Sequence, residues 1–412
     1  MSAARPLEGI RVLDLTVALA GPYGSQLLGG MGAEVIRVEA PGGGDIARDN
    51  PPFVGKDGIH FGARADGEMS LTLLNRGRNK KSITLDLKTE RGHALLLRLA
   101  EHCDVLIENM SEGTTARLKV DYPAIRAVNP RIVYASIKAF GEPSPYPTLK
   151  GVDIIVQALS GIMEATGFAD GPPTRIGLPL ADLVTPLYAI NGILAALIQR
   201  GRTGVGQKVE VSMLDCLASL LAEEHFDVFG AAGYPARSGN FHDRLTPFGV
   251  YRSQDGHVAI VAFRPDWTAA LFDAMGRSEL LHDPRFEQRE ARMRNATALN
   301  ALIEDWTMGL TCAQIEDQLL DQRGVPCARV RSPKEVLRDP SLFARGAIMH
   351  LQHPRFGAVG AVGMGMPIQF SAATAQLDQP VMELGAANAE VYGGLLDLSE
   401  HEIAELRRDG II

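Results

Sequence analysis

Cysteine is scarce and scattered in this 412-residue chain: Cys103, Cys216, Cys312 and Cys327 form no C-x-x-C pair. That spacing excludes a disulfide framework and a cysteine zinc site, and it predicts buried, reduced thiols. Long apolar runs are also missing, since no uninterrupted stretch approaches the roughly 20 residues that span a bilayer. The opening "MSAARPLEGIRVLDLT" has no apolar signal-peptide core, so the expectation is a cytoplasmic protein with no membrane partner. Positive charge is in deficit, with 41 Lys and Arg against 49 Asp and Glu and a net charge of -8. This argues against nucleic acid as a partner and requires any anionic ligand to be met by a local basic pocket. Three motifs are absent: G-x-G-x-x-G after the first strand, G-x-S-x-G, and a P-loop GKS or GKT, which speaks against dinucleotide, serine-hydrolase and nucleotidyl-transfer chemistry. His225, His242 and His257 show no metal-ligand spacing, and no metal is expected.

What is present is an alternation of strand and helix signals. "IRVLDLT", "EVIRVE", "KSITLDL", "DVLIEN" and "IVYASIKAF" read as strands, and "GPYGSQLLGGMGA", "ERGHALLLRLAEHC" and "YPAIRAVNP" as the helices between them. Such βαβ units predict a doubly wound parallel α/β sheet, which binds ligands beyond the carboxyl ends of its strands. The length suggests two domains. Residues 1–225 read as the large domain, 226–325 as a smaller α+β domain containing a hairpin around Asp255-Gly256, and 326–412 as a segment returning to the large domain.

Several groups of residues could carry chemistry. The loop "EAPGGGDIARD" offers backbone N–H groups that could approach an anion, although glycine clusters also mark plain turns. "LLNRGRNKKS" gathers Arg76, Arg78, Lys80 and Lys81, while Asn109, Met110, Arg117 and Lys138 lie at or after strand ends. Between Arg175 and Arg200 the one formally charged residue is Asp182, set among Leu, Pro, Ala and Val. An ionised carboxylate there is costly unless it is paired, caps a helix or is needed for chemistry. Thr185-Pro186 reads as a helix cap and first turn, which would leave Asp182 in the approaching loop.

The ordered stretches "LEGIRVLDLT", "AGPYGSQLLGGMGAEVIRVEAPGGGD", "NRGRNKKSITLDLKTERG", "VNPRIVYASIKAFG", "DIIVQALSGIMEATG", "PLADLVTPLYAINGILAAL" and "TGVGQKVEVSMLDCLASLL" resemble the family III CoA-transferases nearly end to end. The resemblance implies a Rossmann-like large domain, a small domain, and a homodimer whose two subunits are interlocked like links of a chain. It implies CoA or acyl-CoA and a small carboxylic acid as substrates, with no permanently bound cofactor. Asp182 falls at the family's nucleophile, and backbone N–H groups rather than a metal would stabilise the oxyanions. The CoA contacts carry over to Ala18, Leu19, Ala20, Lys80, Asn109, Met110, Arg117 and Lys138. The family's adenine-side arginine falls on Ala40, for which Arg37 or Arg48 would substitute. Arg76, Arg78 and Arg244 are candidate clamps for a second carboxylate, favouring a dicarboxylic acceptor. The alternative is a 2-methylacyl-CoA racemase of the same superfamily, but its G-H-D-I-N histidine is replaced here in Gly151-Val152-Asp153-Ile154-Ile155. A nicotinamide-dependent dehydrogenase and a non-catalytic CoA-binding protein are more distant readings.

Overall fold

The structure is a computed structural model that describes residues 4–242 and 244–412. Short β-branched runs form six strands: β1 (Arg11–Asp14), β2 (Glu34–Glu39), β3 (Lys81–Thr84), β4 (Val105–Glu108), β5 (Val133–Lys138) and β6 (Lys208–Ser212). All pair in parallel, in the order β3-β2-β1-β4-β5-β6. The strand order reverses between β1 and β4, which places a crevice beyond their carboxyl ends.

Alternate residues of each strand serve opposite faces of this sheet. Leu13, Ile36, Ile83, Leu106 and Tyr134 belong to one buried cluster, and Val12, Val35, Val105, Ile107 and Val133 to the other. Both faces are therefore covered, and every residue of the central strands β4 and β5 is buried. Helix Glu90–Glu101 covers the first face together with helices Asn388–Leu396 and Glu400–Arg408, which the chain's end supplies. Asn388 and Tyr392 fasten that end to β3 through the backbone of Thr84. Ser399 and Glu402 form a capping box at the start of the last helix, as the sequence predicts.

The other face carries helices Ala20–Gly30 and Leu180–Thr203. Glycine lets the first of these approach closely: a Cβ on Gly21 would stand 2.3 Å from Thr16 Cβ, and one on Gly24 would stand 3.3 Å from Pro186 Cβ. The second is the one helix among the described residues long and apolar enough to cross a membrane, yet Ala189, Ile190, Ile193 and Ala196 pack it on the sheet. Burying a side chain such as Ile193 contributes about 1.5–3 kcal/mol.

Two compact units result. The larger comprises 1–160, 177–220 and 339–412, and the smaller 161–176 and 221–338. The smaller unit thus takes in an earlier segment and runs past the 226–325 span read from the sequence. It holds an antiparallel sheet of Phe248–Arg252, His257–Val261 and Cys327–Arg329. Its core includes Tyr251, Phe272, Phe286 and Ile303. The four cysteines are free; Cys103, Cys216 and Cys312 are buried and Cys327 is half-buried.

Candidate active site

The loop leaving β1 sits at the reversal of strand order and is held by contacts from three segments. Asn109, just after β4, accepts from Val17 N at 2.9 Å and donates to Val17 O at 2.8 Å. Asp45, from the glycine-rich loop, accepts from Ala18 N at 3.0 Å. Arg76, ending helix Leu71–Arg76, donates to Ala18 O at 3.1 Å. Ala18 is held at φ 66°, a left-handed conformation unfavourable for a residue with a Cβ. Leu19 then precedes helix Ala20–Gly30, in which Ala20 is buried.

Asp182 lies on helix Leu180–Thr203, within its first turn, and not in a loop before it. Pro186, read from the sequence as a helix start, is inside the helix. The reason is a cap contributed from far away: Asp153 Oδ1 accepts from Ala181 N, 28 positions on, at 2.8 Å and from Asp182 N at 3.4 Å. This begins the helix earlier than any local capping residue would. A proline in a helix interior withdraws the N–H owed to the carbonyl four residues before it, here that of Asp182. Thr185 Oγ1 meanwhile donates to Ala181 O at 2.7 Å.

The Asp182 carboxyl is half-buried and, among the described residues, accepts no hydrogen bond. Burial pushes its pKa up to about 6, Asp153 adds to the rise, and Arg76 opposes it. Burying the ionised group costs stability at neutral pH, a cost relieved progressively as pH falls from about 6 towards the ordinary 3.8.

Most of the cations expected to meet CoA point inward. Lys80 is 3% exposed, and its Nζ donates to Ser25 Oγ at 2.7 Å, Pro22 O at 2.8 Å and Asp14 Oδ2 at 3.1 Å. Lys138 is bound to Glu108 at 3.0 Å and to Met110 O at 2.9 Å. Arg37 is buried against Asp45 at 2.5 Å, and Arg48 against Glu39 at 2.6 Å. Arg48, Arg37 and Ser82 hold the Glu39 carboxyl down to about 2 despite its burial. Arg78, one of the three proposed clamps, reaches Met364 O at 2.6 Å and braces the hairpin Ile348–His353/Gly357–Met364; burial drops its pKa to about 10.

These five side chains are engaged by carboxylates and backbone carbonyls inside the larger unit. Charge runs in sequence do not reveal which cations find a buried carboxylate; of the partners, Asp14, Glu39 and Glu108 end strands and Asp45 closes the glycine run. Arg76 is half-buried beside Ala18 and acts electrostatically on Asp182. Arg117 is exposed, its side chain donating to Thr114 Oγ1 at 3.2 Å, and Met110 is half-buried. Arg244 lies in the smaller unit, paired with Glu224 and stacked 4.4 Å over Phe229. Asp153 and Asp45 were missed as site residues. The available signal was an Asp at the start of "DIIVQALSG" and another closing the glycine run. Among the described residues, no group of three or more His, Cys, Asp or Glu could hold a metal ion.

The sequence pattern of CoA-transferase family III matches residues 7–388. The chain belongs to that family. It is similar to a formyl-CoA:oxalate CoA-transferase of Streptomyces avermitilis, with 37% identity covering 99% of this chain and 100% of the relative. A succinyl-CoA–D-citramalate CoA-transferase of Chloroflexus aurantiacus is 35% identical, with 99% and 98% covered. Among solved structures, a CAIB/BAIF family protein from Brucella suis superposes with a TM-score of 0.81 at 34% identity, covering 95% of this chain and 100% of that one. As a family III member the chain is an enzyme of CoA transfer.

Proposed function

We propose that the protein moves CoA from a short acyl-CoA donor, succinyl-CoA or acetyl-CoA, to a short dicarboxylic acid, with Asp182 as the covalent carrier. The observation that carries this reading is the Asp182 carboxylate itself, half-buried, free of hydrogen bonds among the described residues and less acidic than usual. A carboxylate of raised pKa is the better nucleophile while still ionised at neutral pH.

The steps balance without a net proton. An Asp182 oxygen attacks the thioester carbonyl, the C–S bond breaks, and an acyl-aspartyl anhydride and CoA thiolate form. The thiolate attacks the Asp182 carbonyl carbon, releases the donor carboxylate and leaves an aspartyl-CoA thioester. The acceptor carboxylate attacks that thioester and expels the thiolate, which then attacks the acceptor's carbonyl to give acceptor-CoA and free Asp182. Pro186, one turn on along the same helix, and the half-burial of Asp182 limit water at these intermediates. CoA would lie along the larger unit beyond β1 and β4, on the braced backbone of Ala18–Ala20, with Asn109, Met110 and Arg117 beside it.

A panel assay tests this, with succinyl-CoA and acetyl-CoA as donors against short mono- and dicarboxylic acids between pH 5 and 8. Transfer to a dicarboxylate is expected, with kcat/KM flat above pH 7 and falling tenfold per unit well below an inflection near pH 6, as Asp182 protonates. Flat activity down to pH 5 would remove Asp182 as the ionised nucleophile, and transfer confined to monocarboxylates would remove the dicarboxylate reading.

We further propose the interlocked homodimer. Helix Leu180–Thr203 supports it, because Leu187, Tyr188 and Ile198 stand 46%, 40% and 64% exposed on an otherwise packed apolar helix, a surface that monomers rarely leave uncovered. Light scattering should report twice the chain mass of 44.3 kDa; a folded monomer at micromolar concentration would contradict it.

A further inference from the structure

The nucleophile's helix has no cap of its own. Pro179 precedes it and offers no side-chain hydrogen bond. Asp153, which begins helix Asp153–Leu159, fills that role with Oδ1 on Ala181 N and Asp182 N. Its Oδ2 accepts from Gln157 Nε2 at 2.7 Å, and the same Gln157 amide donates to Leu178 O at 3.1 Å. Gln157 is fully buried, so the clamp is held from within the core. Both sides of the turn that carries Asp182, the residues before it and the helix start, are thus fixed by one carboxylate and its amide partner.

Resting on the reading of Asp182 as the nucleophile, we infer that Asp153 is its positioning residue: it occupies the helix N–H groups, which leaves the Asp182 carboxylate unbonded, and its negative charge keeps that carboxylate reactive. A helix N-terminus ordinarily stabilises a nearby carboxylate and makes it more acidic and less nucleophilic. Here a second carboxylate has taken that stabilisation. The charged groups acting on Asp182 are Asp153, which raises its pKa, and Arg76, which lowers it. Helix Ala20–Gly30, packed alongside, carries no charged residue. Of the charges on the packed strands β5 and β6, Lys138 is paired with Glu108, and Lys208 with Glu142 and Glu210.

Two substitutions separate the roles. Asp153→Asn keeps an oxygen that can accept from Ala181 N and removes the charge. Its acid limb of kcat/KM should move down by about one pH unit while the KM for acyl-CoA holds; the amide nitrogen that replaces Oδ2 cannot accept from Gln157, so the melting temperature should fall somewhat. Asp153→Ala removes the cap as well, and kcat should fall about 10- to 100-fold, again with acyl-CoA KM within about twofold. If the Asn protein does not fold, Asp153→Ser supplies a short neutral acceptor and the same pH profile is read. An acid limb that stays in place with the charge removed, or an Ala variant with normal kcat, overturns the inference. Acyl-CoA followed by hydroxylamine, with mass spectrometry of the "LPLADLVTP" peptide, is run on every protein. A labelled Asp182 with an unmoved limb sinks only the role of Asp153, whereas an unlabelled wild-type peptide sinks the nucleophile and this inference with it.

Discussion

Asp182→Asn is expected to lower CoA transfer by at least about a thousandfold, since the variant lacks the carboxylate proposed to form the covalent acyl and CoA intermediates. The amide keeps the side chain's size but cannot attack a thioester. CoA binding should persist, because the residues proposed to hold CoA lie elsewhere, on the loop after β1 and beyond β4. Nor should the fold suffer. Wild-type Asp182 is a half-buried carboxylate with its pKa pushed up to about 6, so replacing it by a neutral isostere removes a cost at neutral pH and the variant should melt no lower than the wild type. The decisive measurement is paired: turnover by coupled assay, and acyl-CoA affinity by calorimetry. Turnover within about tenfold of wild type, without deamidation back to Asp, would return Asp182 to a structural role.

The second large effect concerns Lys80, and it separates stability from affinity. Lys80 and Asp14 are a buried pair at 3.1 Å, with Asp14 also accepting from Ser25 and Thr16 hydroxyls at 2.5 Å. Burial raises the Asp14 pKa, but Lys80, Arg37 and the two hydroxyls outweigh it and hold the carboxyl below its usual range. Lys80 has this one close carboxylate, and burial brings its pKa down to about 8. Lys80→Ala would leave Asp14 charged, fully buried and short of its cation, a loss of about 3–5 kcal/mol. Against a total stability of about 5–15 kcal/mol, that should appear as a large drop in denaturant midpoint and in soluble yield. The KM for acyl-CoA of whatever folds should change little. An unchanged midpoint with a tenfold higher KM would mean that Lys80 turns outward to meet the ligand after all. Because burial lowers the Lys80 pKa from an ordinary 10.5 to about 8, the folded protein sheds this proton before the unfolded chain does, and the cost of burying the ammonium should be relieved as pH rises from about 8 towards 10.5.

These two residues mark the line between what the sequence determined and what the tertiary structure decided. The parallel sheet was legible from the alternation of strand and helix signals: β2 falls on "EVIRVE", and β1, β3, β4 and β5 fall inside their predicted runs. Asp182 stood out because a single carboxylate in an apolar segment is costly unless paired or used, and the structure leaves that carboxylate half-buried without a hydrogen bond among the described residues. The local signal of Thr185-Pro186 failed, however, because the donor and acceptor that start this helix are 28 positions apart. Cations were harder still. Lys80, Lys138, Arg37, Arg48 and Arg78 resemble Arg117 in sequence, yet five are buried and one is exposed. Residue type and local period fix which segments become strands and helices. Whether a lysine faces a ligand or a buried carboxylate depends on which strand ends the fold brings together, and the dielectric and hydrogen-bond partners that set its charge exist only once they meet.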